Sequence, residues 1–250
     1  MLETRRATST RWTGLREAAL FLGVPAMIVT RHEGWMVTVP LAILLLALAR
    51  TSAARACFTV LAVTLAVGVP WIVAPLLAGA AWLCWPQPGG RVRDKVGTIT
   101  VAALVASLLL GAAAGAAAWF PVQRQISESP IIFDIVSPTV PELIIAVPLL
   151  ALANALGEEV IWRGALLSEM TSARPVYIYA AQAASFGLAH WYGIPNGWLG
   201  LLLTGAFSVL CTFAHRRWGL TSAVAAHLAA DVVIFTACLP HVLFIGWGTG

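Results

Sequence analysis

Apolar residues run through this chain in long blocks, and the polar residues between the blocks are few and clustered. Blocks extend from about Ala18 to Thr30, Trp35 to Leu48, Cys57 to Trp85, Gly97 to Trp119 and Glu142 to Ile161, then near 176–190, 197–214 and 220–238. They lack the apolar–polar alternation of an outer-membrane barrel strand, and so predict helices solvated by lipid or by other buried helices. Cys57–Trp85 reads either as one overlong tilted helix or as two short ones meeting near Gly68-Val69-Pro70, where Pro70 disfavours uninterrupted helix. Residues 120–141, with Pro121, Ser127, Glu128, Pro130, Asp134 and Pro138, read as the longest connection, and the stretch holding Glu169 and Arg174 as an interfacial segment. The predicted fold is an all-α polytopic membrane protein, a bundle of about eight or nine transmembrane segments. It forms a single integral membrane domain over 1–250, with a core over 141–238.

Composition strengthens this picture. The chain is 60% hydrophobic and only 10% charged, with a mean hydropathy of +0.86, whereas a soluble domain carries about 25% charged residues. The net charge of +4 is not a nucleic-acid signature, because the basic residues lie in connections between apolar blocks. If Cys57–Trp85 is a hairpin, Arg50 with Arg55, Arg91 with Lys95, Arg174, and Arg216 with Arg217 fall on the side of Arg5, Arg6, Arg11 and Arg16. The other side then receives Glu33, Glu128, Asp134 and Glu142 against Arg31 and Arg124. The asymmetry predicts a multi-pass protein of the cell membrane whose residues 1–16 form a basic cytoplasmic tail. The opening resembles a signal peptide, but without a convincing cleavage site it is expected to remain as the first span. Cys57, Cys84, Cys211 and Cys238 show no CxxC spacing and are expected to be buried small hydrophobes. Gly111 and Gly115 form a small-xxx-small face suited to close helix packing in lipid. Nothing in the pattern fixes an oligomeric state.

Ionisable groups are costly inside lipid and are functional there by default. Three places carry them. Asn154-Ala-Leu-Gly-Glu158-Glu159-Val-Ile-Trp-Arg163 ends one apolar run. On a helix Glu159 and Arg163 share a face and can pair, while Glu158 points about 100° away from its neighbour. Phe186-Gly-Leu-Ala-His190 puts a ring and an imidazole on one face, and His227-Leu-Ala-Ala-Asp231 does the same for an imidazole and a carboxylate. Water activation on a peptide carbonyl fits this set. Glu158 would be the general base, His190 would share its water, and His227 would donate to the oxyanion. Asp231 would steer His227, and Asn154, Phe186, Glu159 and Arg163 would support the site. No cofactor is expected; were zinc present, Glu158, His190, His227 and Asp231 would supply its ligands, although the spacing is not HExxH. A membrane carrier relaying protons through the same groups is the alternative from another class.

The ordered trio Glu158-Glu159-x-x-x-Arg163, Phe186-x-x-x-His190 and His227-x-x-x-Asp231 resembles the signature of the CPBP family. This family contains the type II CAAX prenyl endopeptidases and the bacteriocin-processing or self-immunity proteins also called Abi. The resemblance covers roughly Pro141 to Cys238. It implies an intramembrane glutamate protease acting on a membrane-associated peptide or protein, with Glu158 as base. Glu159 and Arg163 would support it, His190 would share the water, and His227 with Asp231 would form the oxyanion-hole pair. A non-catalytic immunity or scaffold protein keeping the motifs is the other reading. The Ala-, Gly- and Trp-rich composition leans toward a bacterial chain and an unprenylated substrate. One geometric problem stands: at ~1.5 Å per residue, an upright helix from Val176 would carry His190 away from Glu158. The segment must therefore start outside the hydrocarbon, tilt, or end part-way.

Overall fold

The computed structural model describes residues 2–30, 35–69, 73–85, 99–128, 140–170 and 174–247, with side chains described from Thr13 to Cys238 within those stretches except at Trp35, Ser127, Glu128, Val140 and Pro141. The predicted charged connections at Arg31–Glu33 and Arg91–Lys95, the turn residue Pro70, and Pro130, Asp134 and Pro138 lie outside the described residues. All regular structure among those described is helical: α1 (Leu2–Val29), α2 (Trp35–Leu48), α3 (Ser52–Ala66), α4 (Val73–Cys84), α5 (Val101–Glu128), α6 (Val140–Glu159), α7 (Pro175–Ala189), α8 (Gly197–Trp218) and α9 (Leu220–Trp247). Four stretches are long and apolar enough to cross a bilayer: Val101–Ile126, Glu142–Leu166, Gly197–Trp218 and Leu220–Cys238. Beyond Glu142 in its first turn, α6 exposes the apolar side chains of Ile144, Ile145 and Leu149, as a lipid-facing surface requires. The protein is a polytopic helical membrane protein.

Helix packing follows a closed circuit. α1 packs on α2, α2 on α3, α3 on α4, α4 on α6, α6 on α9, α9 on α8, α8 on α7, and α7 returns to α1. α5 lies outside this circuit against α9. The Gly111/Gly115 face makes that contact: a Cβ on Gly111 would run into the carbonyl of Ala226, and one on Gly115 would come within 2.9 Å of the Ala230 carbonyl. Bare glycine lets the two backbones approach. α5 is thereby pressed onto the helix that carries His227 and Asp231.

The Cys57–Trp85 ambiguity resolves as two helices. α3 starts at the N-cap Thr51, whose hydroxyl accepts the Ala54 N–H at 3.2 Å. It stops before Gly68, whose φ of +77° is a left-handed conformation that breaks the helix. One expectation is corrected: residues 120–128 are not loop, because α5 runs through Pro121 to Glu128. Val122 and Ile126, one turn apart, pack against Ile234 and Cys238 of α9, and this burial outweighs the polar composition of the stretch. A second correction concerns the cysteines: Cys57, Cys211 and Cys238 are buried, but Cys84 is exposed at the end of α4.

The stretch holding Glu169 is tied firmly to the rest of the bundle. Its carboxylate is buried and accepts the N–H groups of Arg50 and Thr51 at 2.7 and 2.9 Å. It also accepts the Thr51 hydroxyl at 2.9 Å and the Arg16 guanidinium at 2.9 Å. Burial raises this carboxyl, but the donors from Arg50, Thr51 and Arg16 outweigh it and hold the group below its ordinary range. One side chain thus ties α1, the α2–α3 junction and the end of the Glu-bearing helix together.

Candidate active site

α6 changes pitch where its carboxylates lie. Glu159 closes the α-helical part, and Val160–Leu166 continue as a π-helical turn that is buried at every residue. Such turns are rare and often mark functional positions. Arg163 lies within it, fully enclosed, and its Nη1 donates to Glu159 Oε1 at 3.0 Å. Nη2 donates to the Ser208 carbonyl at 2.9 Å and to Ser208 Oγ at 2.8 Å. A buried guanidinium is tolerable only with such partners. The Ser208 hydroxyl in turn donates to the Gln182 carbonyl at 3.0 Å, Gln182 Nε2 donates to the Trp162 carbonyl at 2.8 Å, and Trp162 Nε1 donates to Ser185 Oγ at 3.1 Å. This network threads α6, α7 and α8 together beneath the carboxylates.

His190 lies at the C-terminal end of α7, where the helix tightens into a single 3₁₀ turn. With 15 residues in α7, the helix is about 22 Å long, short of the ~30 Å hydrocarbon. His190 Nδ1 lies 2.9 Å from the Phe186 carbonyl and must be the donor there, since a carbonyl only accepts. Nε2 is thereby turned toward Glu158 Oε2, 3.8 Å away.

His227 comes from α9 and approaches the same oxygen: Nε2 lies 3.7 Å from Glu158 Oε2. Its Nδ1 is 2.8 Å from Glu159 Oε1 and donates to it. The carboxylate nearest this ring is therefore Glu159, which holds His227 and Arg163 at once. Asp231 stands at 3.5 Å from Nε2, and its other oxygen accepts Asn154 Nδ2 at 3.0 Å. Asn154, one turn before Glu158, thus fixes Asp231 in place.

Phe186 is the hub beneath these groups. Its ring centroid lies 5.1 Å from that of Trp162, 4.6 Å from His190 and 5.8 Å from His227, and Arg163 Cζ stands 5.0 Å above it. Phe207 closes the other side of His227 at 5.2 Å. All eight residues singled out from sequence, Asn154, Glu158, Glu159, Arg163, Phe186, His190, His227 and Asp231, meet in this one region. Ser208, Gln182, Ser185, Trp162 and Phe207 belong with them and gave no sequence signal beyond being polar or aromatic in apolar helices.

A cavity of about 250 Å³ opens beside this cluster. Asn154, Glu158, His190 and Asp231 line its polar side. Its apolar side combines Ile28 of α1, Leu61 and Leu65 of α3 and Pro75 of α4 with Trp162, Ile194 and Phe235 from the second half of the chain. Glu158 Oε2 has no hydrogen-bond partner among the described residues. Among those residues, no group of three or more His, Cys, Asp or Glu side chains is arranged to hold a metal ion.

Chemically, the arrangement offers an acceptor oxygen between two imidazole nitrogens at the edge of a largely apolar chamber. Comparison with known proteins gives one match. No curated protein and no solved structure matches the chain. Residues 140–233 match the family model described as type II CAAX prenyl endopeptidase, Rce1-like. That segment contains the whole polar cluster, so the part of the chain that builds the site is the part similar to the Rce1-like type II CAAX prenyl endopeptidases.

Proposed function

We propose that the protein hydrolyses a peptide bond in a membrane-associated peptide or protein, with Glu158 as the base that activates water. The observation that carries this reading is the placement of Glu158 Oε2 3.8 Å from His190 Nε2 and 3.7 Å from His227 Nε2 on the cavity wall. These separations are too long for direct hydrogen bonds but suit a shared water. Because His190 Nδ1 donates to a carbonyl, neutral His190 presents a lone pair at Nε2. A water donating one proton to Glu158 and the other to His190 keeps its oxygen lone pairs for attack on the substrate carbonyl.

During attack the oxygen–carbon bond forms, the water proton passes to Glu158, and negative charge gathers on the carbonyl oxygen. His227 is the donor to that oxyanion. Its Nδ1 proton is committed to Glu159, so Nε2–H exists only when the ring is an imidazolium. Asp231 beside Nε2 and Glu159 at Nδ1 are the anions against this ring, in a water-poor site where such a donor is worth most. Collapse then breaks the C–N bond and returns the proton from Glu158 to the leaving amine. Arg163 balances Glu159, so the second carboxylate stands as structure beside the base.

The apolar chamber suits a substrate segment lying in or on the bilayer, and its wall of Ile28, Leu61, Leu65 and Pro75 accommodates a non-polar side chain or chain. No protein group in the scheme calls for a metal. The test is turnover of an internally quenched CAAX-type peptide, prenylated and unprenylated, by purified protein in liposomes. Glu158→Gln should abolish cleavage while leaving the thermal unfolding transition in place, and chelators should leave wild-type turnover unchanged. Cleavage by Glu158→Gln at the wild-type rate would remove Glu158 from the role of base. Loss on chelation with recovery on zinc would establish a metal enzyme.

A further inference from the structure

We propose that Gln125, on α5 and outside the segment that carries the family's motifs, is a positioning residue that sets the location of His190. This inference rests on the proteolytic reading of the site. Gln125 grips one residue of the α7–α8 connection three times. Its Nε2 donates to the Asn196 carbonyl at 3.1 Å and to Asn196 Oδ1 at 2.7 Å, and its Oε1 accepts the Asn196 N–H at 2.9 Å. Both ends of one amide are spent on a single partner 71 residues away.

The cost to Asn196 shows that the contact is specific. Asn196 is the N-cap of α8, the position where an Asn side chain ordinarily accepts an N–H of the first turn. Here the side chain makes no cap hydrogen bond, because Gln125 holds it. The connection is also too tight to shift independently of His190. The Gly193 N–H donates to the His190 carbonyl at 3.0 Å. A Cβ on Gly200 would lie 2.8 Å from that same carbonyl and would run into the Pro195 carbonyl. A Cβ on Gly193 would stand 3.1 Å from His190 Cδ2. Residues 190–200 are thus one packed knot, which Gln125 pins to α5 by hydrogen bonds while Ile194 packs on Val122 and Ile126.

The same end of α5 supports the chamber. Val122 and Ile126 pack with Ile194 and Phe235, both on the cavity wall, and Asn196 itself lines that wall. Releasing Gln125 therefore frees the segment that carries the His190 backbone carbonyl, without touching Glu158, His227 or Asp231. The consequence is catalytic: a displacement of about 1 Å at a reacting group can cost on the order of 100-fold in rate.

The experiment compares Gln125→Glu and Gln125→Leu with wild type in intact membranes, using two readouts. The first is the rate of His190 modification by diethyl pyrocarbonate, mapped by mass spectrometry with His215 and His227 as internal references. The second is kcat and KM on the quenched CAAX-type peptide. Gln125→Glu keeps the acceptor for the Asn196 N–H but loses both donors. It should raise His190 labelling several-fold over the references and lower kcat on the order of tenfold with KM little changed. Asn196→Leu should follow Gln125→Leu in both readouts. Labelling that rises equally at all three histidines, or kcat unchanged in Gln125→Glu and Asn196→Leu, would overturn the positioning role. Because labelling does not depend on turnover, failure of the proteolytic reading, shown by an active Glu158→Gln, remains distinct from failure of this one.

Discussion

Glu159→Gln is the most informative single change in this molecule, because one Glu159 oxygen accepts from both Arg163 and His227. In the native site Oε1 accepts Arg163 Nη1 at 3.0 Å and His227 Nδ1 at 2.8 Å, and the side chain is fully enclosed. The amide keeps the shape and an acceptor oxygen but removes the charge. Arg163 retains only the Ser208 carbonyl and hydroxyl, and breaking a buried pair on one side costs about 3–5 kcal/mol. For His227 the loss is catalytic. Without the anion at Nδ1 the ring faces only Asp231, at 3.5 Å from Nε2, and Nε2 becomes a much weaker donor to the oxyanion. Losing one oxyanion donor costs about 2.7–4 kcal/mol, or 100- to 1,000-fold in kcat. Asp231→Asn is the comparison. Asp231 stands 3.5 Å from Nε2, and an amide oxygen there still accepts Asn154 Nδ2, so the expected loss is about tenfold or less. The assay is kcat on the quenched peptide beside the melting temperature of each variant in one detergent. Wild-type kcat in folded Glu159→Gln, or a larger loss in Asp231→Asn, would refute the assignment of His227 to Glu159.

Further expectations concern the scaffold. The Glu169 carboxyl is held below its ordinary range, so the stability it confers is complete above the unfolded value of about 4.3 and is lost as pH falls through the folded value. Wild-type melting temperature should therefore drop on the acid side. Glu169→Gln should start lower by about 1.5–3 kcal/mol and show a flatter acid limb; parallel acid limbs would refute the role. Gly111→Ala places a methyl group against the Ala226 carbonyl and should force α5 off α9, destabilising the protein by about 3 kcal/mol or more. A melting temperature within a degree of wild type would show that the two backbones have room.

Sequence alone determined the class of the fold and the membership of the site. Apolar blocks this long leave helices as the only structure whose backbone is satisfied within each segment, so an all-helical bundle follows from composition and period. Ionisable groups are so few that each one in an apolar block stands out, which is why Glu158, Glu159, Arg163, His190, His227 and Asp231 are legible without coordinates. The i,i+4 spacing also gave the Glu159–Arg163 pair directly. Other features depend on where helices meet. Only tertiary packing decided that α5 continues to Glu128, because burial of Val122 and Ile126 against α9 outweighs local polarity. Which carboxylate orients His227 was not readable either: Asp231 is one turn away in sequence, yet Glu159, 68 residues distant, is the one that reaches Nδ1. Spacing along one helix fixes which side chains share a face, but the partner across the interface is chosen by packing between helices, which no single segment encodes.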